Sequence, residues 1–230
     1  MKKPYIKKFS EISKFTVWIV DGRYIRENID EEFTNFGQHY RFVFIPEYEL
    51  WVDKQYGAGE EKFYIDHMLA EHKLMSKGVD YDTAIEKADK IEQSERAKSA
   101  MIKQNLKLKK DHAKLVNLIH KKQIRSFGNK LKIWVVNGEL VRDFFFLDFT
   151  EGGHDKVYNF IPEKEIWLDD DLSPTERKFV LLHEVHERNL MVKGLKYDDA
   201  HKDSSKIEFY CRHHQRETFK KIKAEFKKVA

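Results

Sequence analysis

ERKFVLLHEVHERNLMVKGLKYDDA (176–200) falls on EEKFYIDHMLAEHKLMSKGVDYDTA (60–84) when the chain is slid along itself by 116 residues. The match runs outward without a gap. FTVWIVDGRYIR (15–26) meets LKIWVVNGELVR (131–142), and FIPEYELWVD (44–53) meets FIPEKEIWLD (160–169). Residues 15–96 and 131–212 share 30 identities in 82 aligned pairs, far above chance for an ungapped overlay. Self-similarity at a fixed offset means that one supersecondary unit occurs twice, so the fold of the whole reduces to the fold of one copy.

Within a copy the elements can be read in order. Lys132–Val136 and Leu140–Asp143 are apolar runs around Asn137-Gly138, a type I′ hairpin signal, and Asp21-Gly22 is its counterpart. Strands are expected through Lys156–Phe160 and Glu165–Leu168, with Pro162 at an edge, bulge or turn, and Gly152-Gly153 in a loop. Ser173-Pro174-Thr175-Glu176 reads as a capping box with proline at the first helical position. Phe179, Leu182, His183, His186 and Leu190 follow at helical spacing. Gly194 ends that helix, and a second helix starts at Tyr197 and can run almost to the C-terminus. Its counterpart in the first copy spans about Tyr81 to His120. The fold class is therefore α+β, a tandem duplication in which each module is a small antiparallel sheet followed by a helical hairpin with a long second helix. The expected domains are a first module over 1–120, a linker over 121–130 and a second module over 131–230. Trp18, Trp51, Trp134 and Trp167 recur at matched positions and read as core. Sister modules of this kind suit a pseudo-dimeric packing.

Composition bounds the class. Hydrophobic residues at 41% and aromatics at 13% exclude a disordered chain. A single cysteine, Cys211, excludes a disulfide framework within the chain and fits a reducing compartment. The basic N-terminus lacks the apolar run of a signal peptide, and no stretch approaches a membrane span. A cytoplasmic protein is expected.

Chemistry concentrates in His183-Glu184-Val185-His186-Glu187. On a helix, His183 and Glu187 share a face. The next helix offers His201, Ser205 and Glu208, and an antiparallel hairpin turning near Gly194 sets Glu187 opposite His201 and His183 near Glu208. The candidate ligand set is His183, Glu187, His201 and Glu208. Two imidazoles with carboxylates and an open position suit Zn²⁺, with Fe²⁺ or Mn²⁺ as alternatives.

This segment resembles the active-site helix of zincin-type metallopeptidases, in which His-Glu-x-x-His is followed by a downstream third ligand. It is also similar to His-Glu-x-x-Glu…Ala-His…Glu sequences in phage and archaeal proteins. The zincin resemblance implies a metal-dependent hydrolase with His183 as first ligand and Glu184 as the general base. The chain departs from that pattern by carrying Glu187 at the second-histidine position and His186 one residue early; a carboxylate can also ligate zinc.

The repeat is an internal control. The first copy keeps His67, Glu71 and Glu92 but has Met68, Ala70 and Ile85 where the second has Glu184, His186 and His201. One competent and one degenerate module are expected. The retained polar residues also fit a hydrogen-bonded cluster joining two helices without metal.

Charge is segregated. Residues 1–14, 97–130 and 212–230 carry a balance of +18 and the remainder −14, within a net charge of +4. Lys103, Lys107, Lys110, Lys114, Lys220 and Lys221 lie in the basic stretches and are candidates for contact with nucleic acid or another acidic surface. The alternative function is therefore a non-enzymatic nucleic-acid-binding protein. Cys211 with His213 and His214 does not form a dyad at that spacing and reads as an incidental thiol.

Overall fold

A computed structural model describes residues 4–55 and 59–229, with their side chains except those at 100, 101, 109 and 110. The chain divides into two units, Met1–Lys110 and Asp111–Ala230. Each has its own four-stranded sheet followed by helices.

The first unit runs β1 (Tyr5–Ile12), β2 (Phe15–Val20), α1 (Gly22–Asn28), β3 (Phe36–Gln38), β4 (Glu49–Asp53), α2 (Glu61–Met75), α3 (Tyr81–Arg96) and α4 (Ala100–Asn105). A 3-10 turn over Leu106–Lys110 closes it. The second unit runs α5 (His112–Ile119), β5 (His120–Ser126), β6 (Lys132–Val136), α6 (Gly138–Phe144), β7 (Gly152–His154), β8 (Glu165–Asp169), α7 (Glu176–Val192), α8 (Tyr197–His213) and α9 (Thr218–Val229). The sheet orders are β1-β2-β4-β3 and β5-β6-β8-β7. The α+β duplication holds.

The sheets are mixed, not antiparallel: β2 pairs parallel with β4, and β6 with β8. The cause lies at Asp21-Gly22 and Asn137-Gly138, which start helices instead of turning hairpins. The Asn137 side chain accepts from the Leu140 N–H at 2.8 Å, and Asp21 accepts from the Tyr24 N–H at 3.2 Å. An Asx residue competes equally well as a helix N-cap. Glycine is needed here for close approach. A Cβ on Gly22 would lie 1.8 Å from Asp53 Oδ2, and one on Gly138 would lie 2.0 Å from Asp169 Oδ2. Those aspartates form buried ion pairs with Arg26 (2.9 Å) and Arg142 (2.6 Å). Each arginine also donates to the Phe33 or Phe149 carbonyl, tying the short helix to the sheet end.

Three further expectations change. The segment 121–130 is not a linker, since most of it forms β5. Tyr5 and His120 occupy the same place: each bonds a glutamate, Glu49 or Glu165, that also accepts from the Trp51 or Trp167 indole. The offset is 115 in this strand, so the 116-residue overlay loses it across one inserted residue in the following turn. Lys156–Phe160 is turn, and the strand pairing with β8 is Gly152–His154. The long second helices are broken: α3 ends at Arg96 and α8 at His213. After α8 the chain turns through Gln215–Glu217 into α9, whose Ile222 joins Phe179, Leu182 and Cys211 in a buried cluster. Burial of that apolar stripe outweighs continuation of the helix.

Helix α7 starts at Glu176, two residues past Pro174. The Ser173 hydroxyl accepts from the Glu176 N–H at 3.3 Å, as expected of a cap, and the Glu176 carboxylate accepts from Arg212 at 2.8 Å. Val180 and Val185 seat α7 on Leu131, Ile133, Ile166 and Leu168 of the sheet. Trp51 and Trp167 are buried, while Trp18 and Trp134 are half-buried. No helix among the described residues is long and apolar enough to cross a membrane.

Candidate metal centre

Helices α7 and α8 form an antiparallel hairpin through Gly194, which takes the positive φ of 97° that favours glycine. Residues one turn apart on α7 therefore face α8. Glu187 Oε2 stands 2.8 Å from His201 Nδ1 and 3.4 Å from His183 Nε2, and the two ring nitrogens are 3.2 Å apart. Ligands about 2.0–2.1 Å from a tetrahedral zinc are separated by about 3.3 Å, so these three atoms already have the spacing of one face of a zinc polyhedron.

Glu208 does not join this trio. It lies behind His183, accepting from Nδ1 at 2.8 Å, while its other oxygen takes Arg212 at 2.7 Å. It thus orients His183 and leaves Nε2 directed at Glu187 and His201. Burial opposes charge on His183, but hydrogen bonds to Glu187 and Glu208 outweigh it and hold the imidazole pKa well above its usual range. Burial raises the carboxyl of Glu187, yet bonds from His154, His183 and His201 bring it far below the usual carboxylate range. The carboxylates of Glu187 and Glu208 thus favour a proton on His183, and His183, Glu187 and His201 offer one ligand atom each that could hold a metal ion.

A cavity of about 130 Å³ opens over the trio, lined by Gly152, Tyr158, Glu184, Tyr197 and the ligand side chains. That is room for a few waters or one small substrate group, at roughly 30 Å³ per water. Glu184 stands in its wall. Burial, reinforced by the charges of Glu187 and Glu208 against that of His183, pushes its pKa up to about 8.

His186 faces away from the cavity. Its Nδ1 lies 2.9 Å from Glu225 of α9 and its Nε2 3.2 Å from Asp203, so it fastens α9 to the hairpin. Cys211 is buried, and His213 and His214 point Nδ1 at the Phe209 and Tyr210 carbonyls.

The first unit shows what the scaffold keeps. His67 Nδ1 bonds Glu92 at 3.0 Å, and Arg96 bonds Glu92 and Glu60 at 2.8 and 2.7 Å, as Arg212 does with Glu208 and Glu176. It also places bulkier apolar groups at two cavity-lining positions. Phe36 replaces Gly152 and lies on Tyr64 and His67, at ring distances of 4.7 and 5.2 Å, and Met68, wholly buried, replaces Glu184. Sequence reading missed Gly152, His154, Tyr158 and Tyr197. The changes Phe36 to Gly152 and Gln38 to His154 between copies were the available signal for two of them.

The candidate lysines fall on several elements of both units. Lys103 and Lys107 are exposed in α4 and the 3-10 turn of the first unit, and the Lys110 side chain lies outside the described residues. In the second unit Lys114 pairs with Asp111 at 2.8 Å, Lys220 is exposed, and Lys221 lies 4.9 Å over the Tyr210 ring. The two long helices expected to carry them do not exist.

No protein-family model, no curated protein and no solved structure matches this chain.

Proposed function

We propose that the second unit is a metal-dependent hydrolase module, with zinc as its ion and a peptide or other amide bond as its target, and that the first unit is a degenerate copy. The observation carrying this reading is the convergence of His183 Nε2, His201 Nδ1 and Glu187 Oε2 under a cavity walled by Glu184. The resemblance to zincin-type metallopeptidases agrees in the placing of His183 and Glu184.

A zinc ion held there would supply Lewis acidity toward a water or carbonyl oxygen. Glu184, in the cavity wall beside His183, would take the water proton and pass it to the leaving amine. His154 and Glu208 fix the ligands, and Tyr158 and Tyr197 shape the space above them. The same ligand types also suit Fe²⁺ and Mn²⁺, so elemental analysis must identify the ion.

Protein purified without a histidine tag should carry about one transition-metal ion per chain and melt at a higher temperature with added Zn²⁺. Absence of bound metal together with no thermal shift would sink the reading.

The charge segregation favours a second reading, nucleic-acid binding through Lys103, Lys107, Lys110, Lys114, Lys220 and Lys221. It requires binding to duplex or single-stranded DNA at low salt that weakens steeply as salt rises. No binding at low salt ends it.

A further inference from the structure

We propose that His154 is a positioning residue of this centre: fixed as the Nε2–H tautomer, it donates to one oxygen of Glu187 and so presents the other oxygen alone to the metal. The inference rests on the metal reading above. It begins at the turn after β7, where the backbone N–H of Lys156 donates to His154 Nδ1 at 3.1 Å. A backbone amide can only donate, so Nδ1 holds a lone pair and the ring proton sits on Nε2. Nε2 is 3.0 Å from Glu187 Oε1. His154 is fully buried, with no solvent to offer a different partner.

The first unit carries the same arrangement in another side chain. Gln38 stands at the position of His154, its Oε1 accepting from the Tyr40 N–H at 2.8 Å and its Nε2 donating to Glu71 Oε1 at 3.1 Å. An amide has this polarity by its chemistry, oxygen accepting and nitrogen donating. Two different side chains thus meet one requirement, an acceptor toward residue i+2 and a donor toward the helix glutamate. The unit without His201 keeps it as well, so the requirement belongs to the glutamate's orientation.

Two consequences follow. His154, Glu184 and Glu187 offer atoms within 4.8 Å of one another, which resembles a second cation site beside the first. Ligation through His154 Nε2 would force the proton onto Nδ1, against the Lys156 N–H, so the tautomer removes His154 from that set. In addition, Glu187 Oε1 is occupied by a donor while Oε2 faces His183 and His201. Ligation by one oxygen keeps a coordination position open on the cavity side, as a catalytic site needs.

Zinc affinity measured by chelator competition on the full-length chain tests this in wild type, His154→Gln and His154→Ala, with folding checked by circular dichroism. The expected result is His154→Gln within about three-fold of wild type and His154→Ala weaker by about 10–100-fold. Equal loss in both variants, or no loss in His154→Ala, overturns the inference. A two-bond proton–nitrogen correlation spectrum of metal-free wild type reads the tautomer directly. A proton on Nε2 supports the inference, and a proton on Nδ1 overturns it. If wild type binds no zinc, the metal reading fails, and the spectrum still decides the tautomer.

Discussion

Glu184 and His201 are the residues on which the proposed chemistry turns. Both are present only in the second copy, and both line the cavity. Glu184→Gln removes the proton acceptor but preserves volume and leaves the trio intact. It should keep full metal content and lose amide hydrolysis by roughly 100-fold or more; turnover and metal content measured on one preparation check this, and undiminished turnover would dismiss Glu184 as the base. His201→Ile installs the first copy's residue. Its expected outcome is zinc affinity reduced by at least about 100-fold, since one of three ligands is gone, with the fold retained. The retained fold follows because His67, Glu92 and Arg96 hold the matching helices of the first unit with Ile85 in that place. A chelator titration alongside a thermal melt separates the two effects.

At the scale of elements, Asn137-Gly138 shows how one dipeptide serves two structures. A hairpin turn and a helix cap both use an Asx side chain followed by glycine, and the local sequence does not separate them. The buried Arg142–Asp169 pair does, because it needs α6 packed against the end of β8. Asn137→Ala should cost about 1 kcal/mol, the loss of a cap. Gly138→Ala should cost roughly 3 kcal/mol or more, because its Cβ meets the Asp169 carboxylate and disturbs a buried ion pair. Urea denaturation of both variants measures the difference, and similar costs would contradict the close-approach role of Gly138. The break after α8 follows the same logic. No proline or glycine stands at 213–218, and the return of α9 onto α7 comes from burial of Ile222 and from Glu225 meeting His186 and Asn189.

For the molecule as a whole, the duplication predicts stoichiometry. In the first unit Phe36 and Met68 stand where the second has Gly152 and Glu184, and Ile85 stands in the place of His201. Isothermal titration should therefore return one zinc per chain; two equal sites would refute the degeneracy of the first copy. Each unit has its own sheet and buried clusters. Residues 111–230 expressed alone should then fold cooperatively and bind zinc within a few-fold of the full chain, whereas 131–230, cut at the boundary read from sequence, should not fold. The shorter fragment loses β5, and with it the His120–Glu165 bond and an edge of the sheet. Circular dichroism melts of the two fragments decide this.

The amino-acid sequence by itself determined the duplication, the α+β class, the α7–α8 hairpin and the pairing of Glu187 with His201, because these follow from identity at a fixed offset and from helical spacing. The asymmetry between the copies was equally legible, since it needs only residue types. The tertiary structure alone decided the parallel strand pairs, the breaks in the long helices, the place of Glu208 behind His183 and the entry of His154. Each depends on what a group meets across the fold. An Asx-Gly pair becomes a cap when an aspartate from a distant strand closes on the glycine. A carboxylate at ligand spacing becomes a ligand's support when an arginine takes its other oxygen. A histidine with no helical spacing to mark it reaches the centre because an edge strand passes over the helix there.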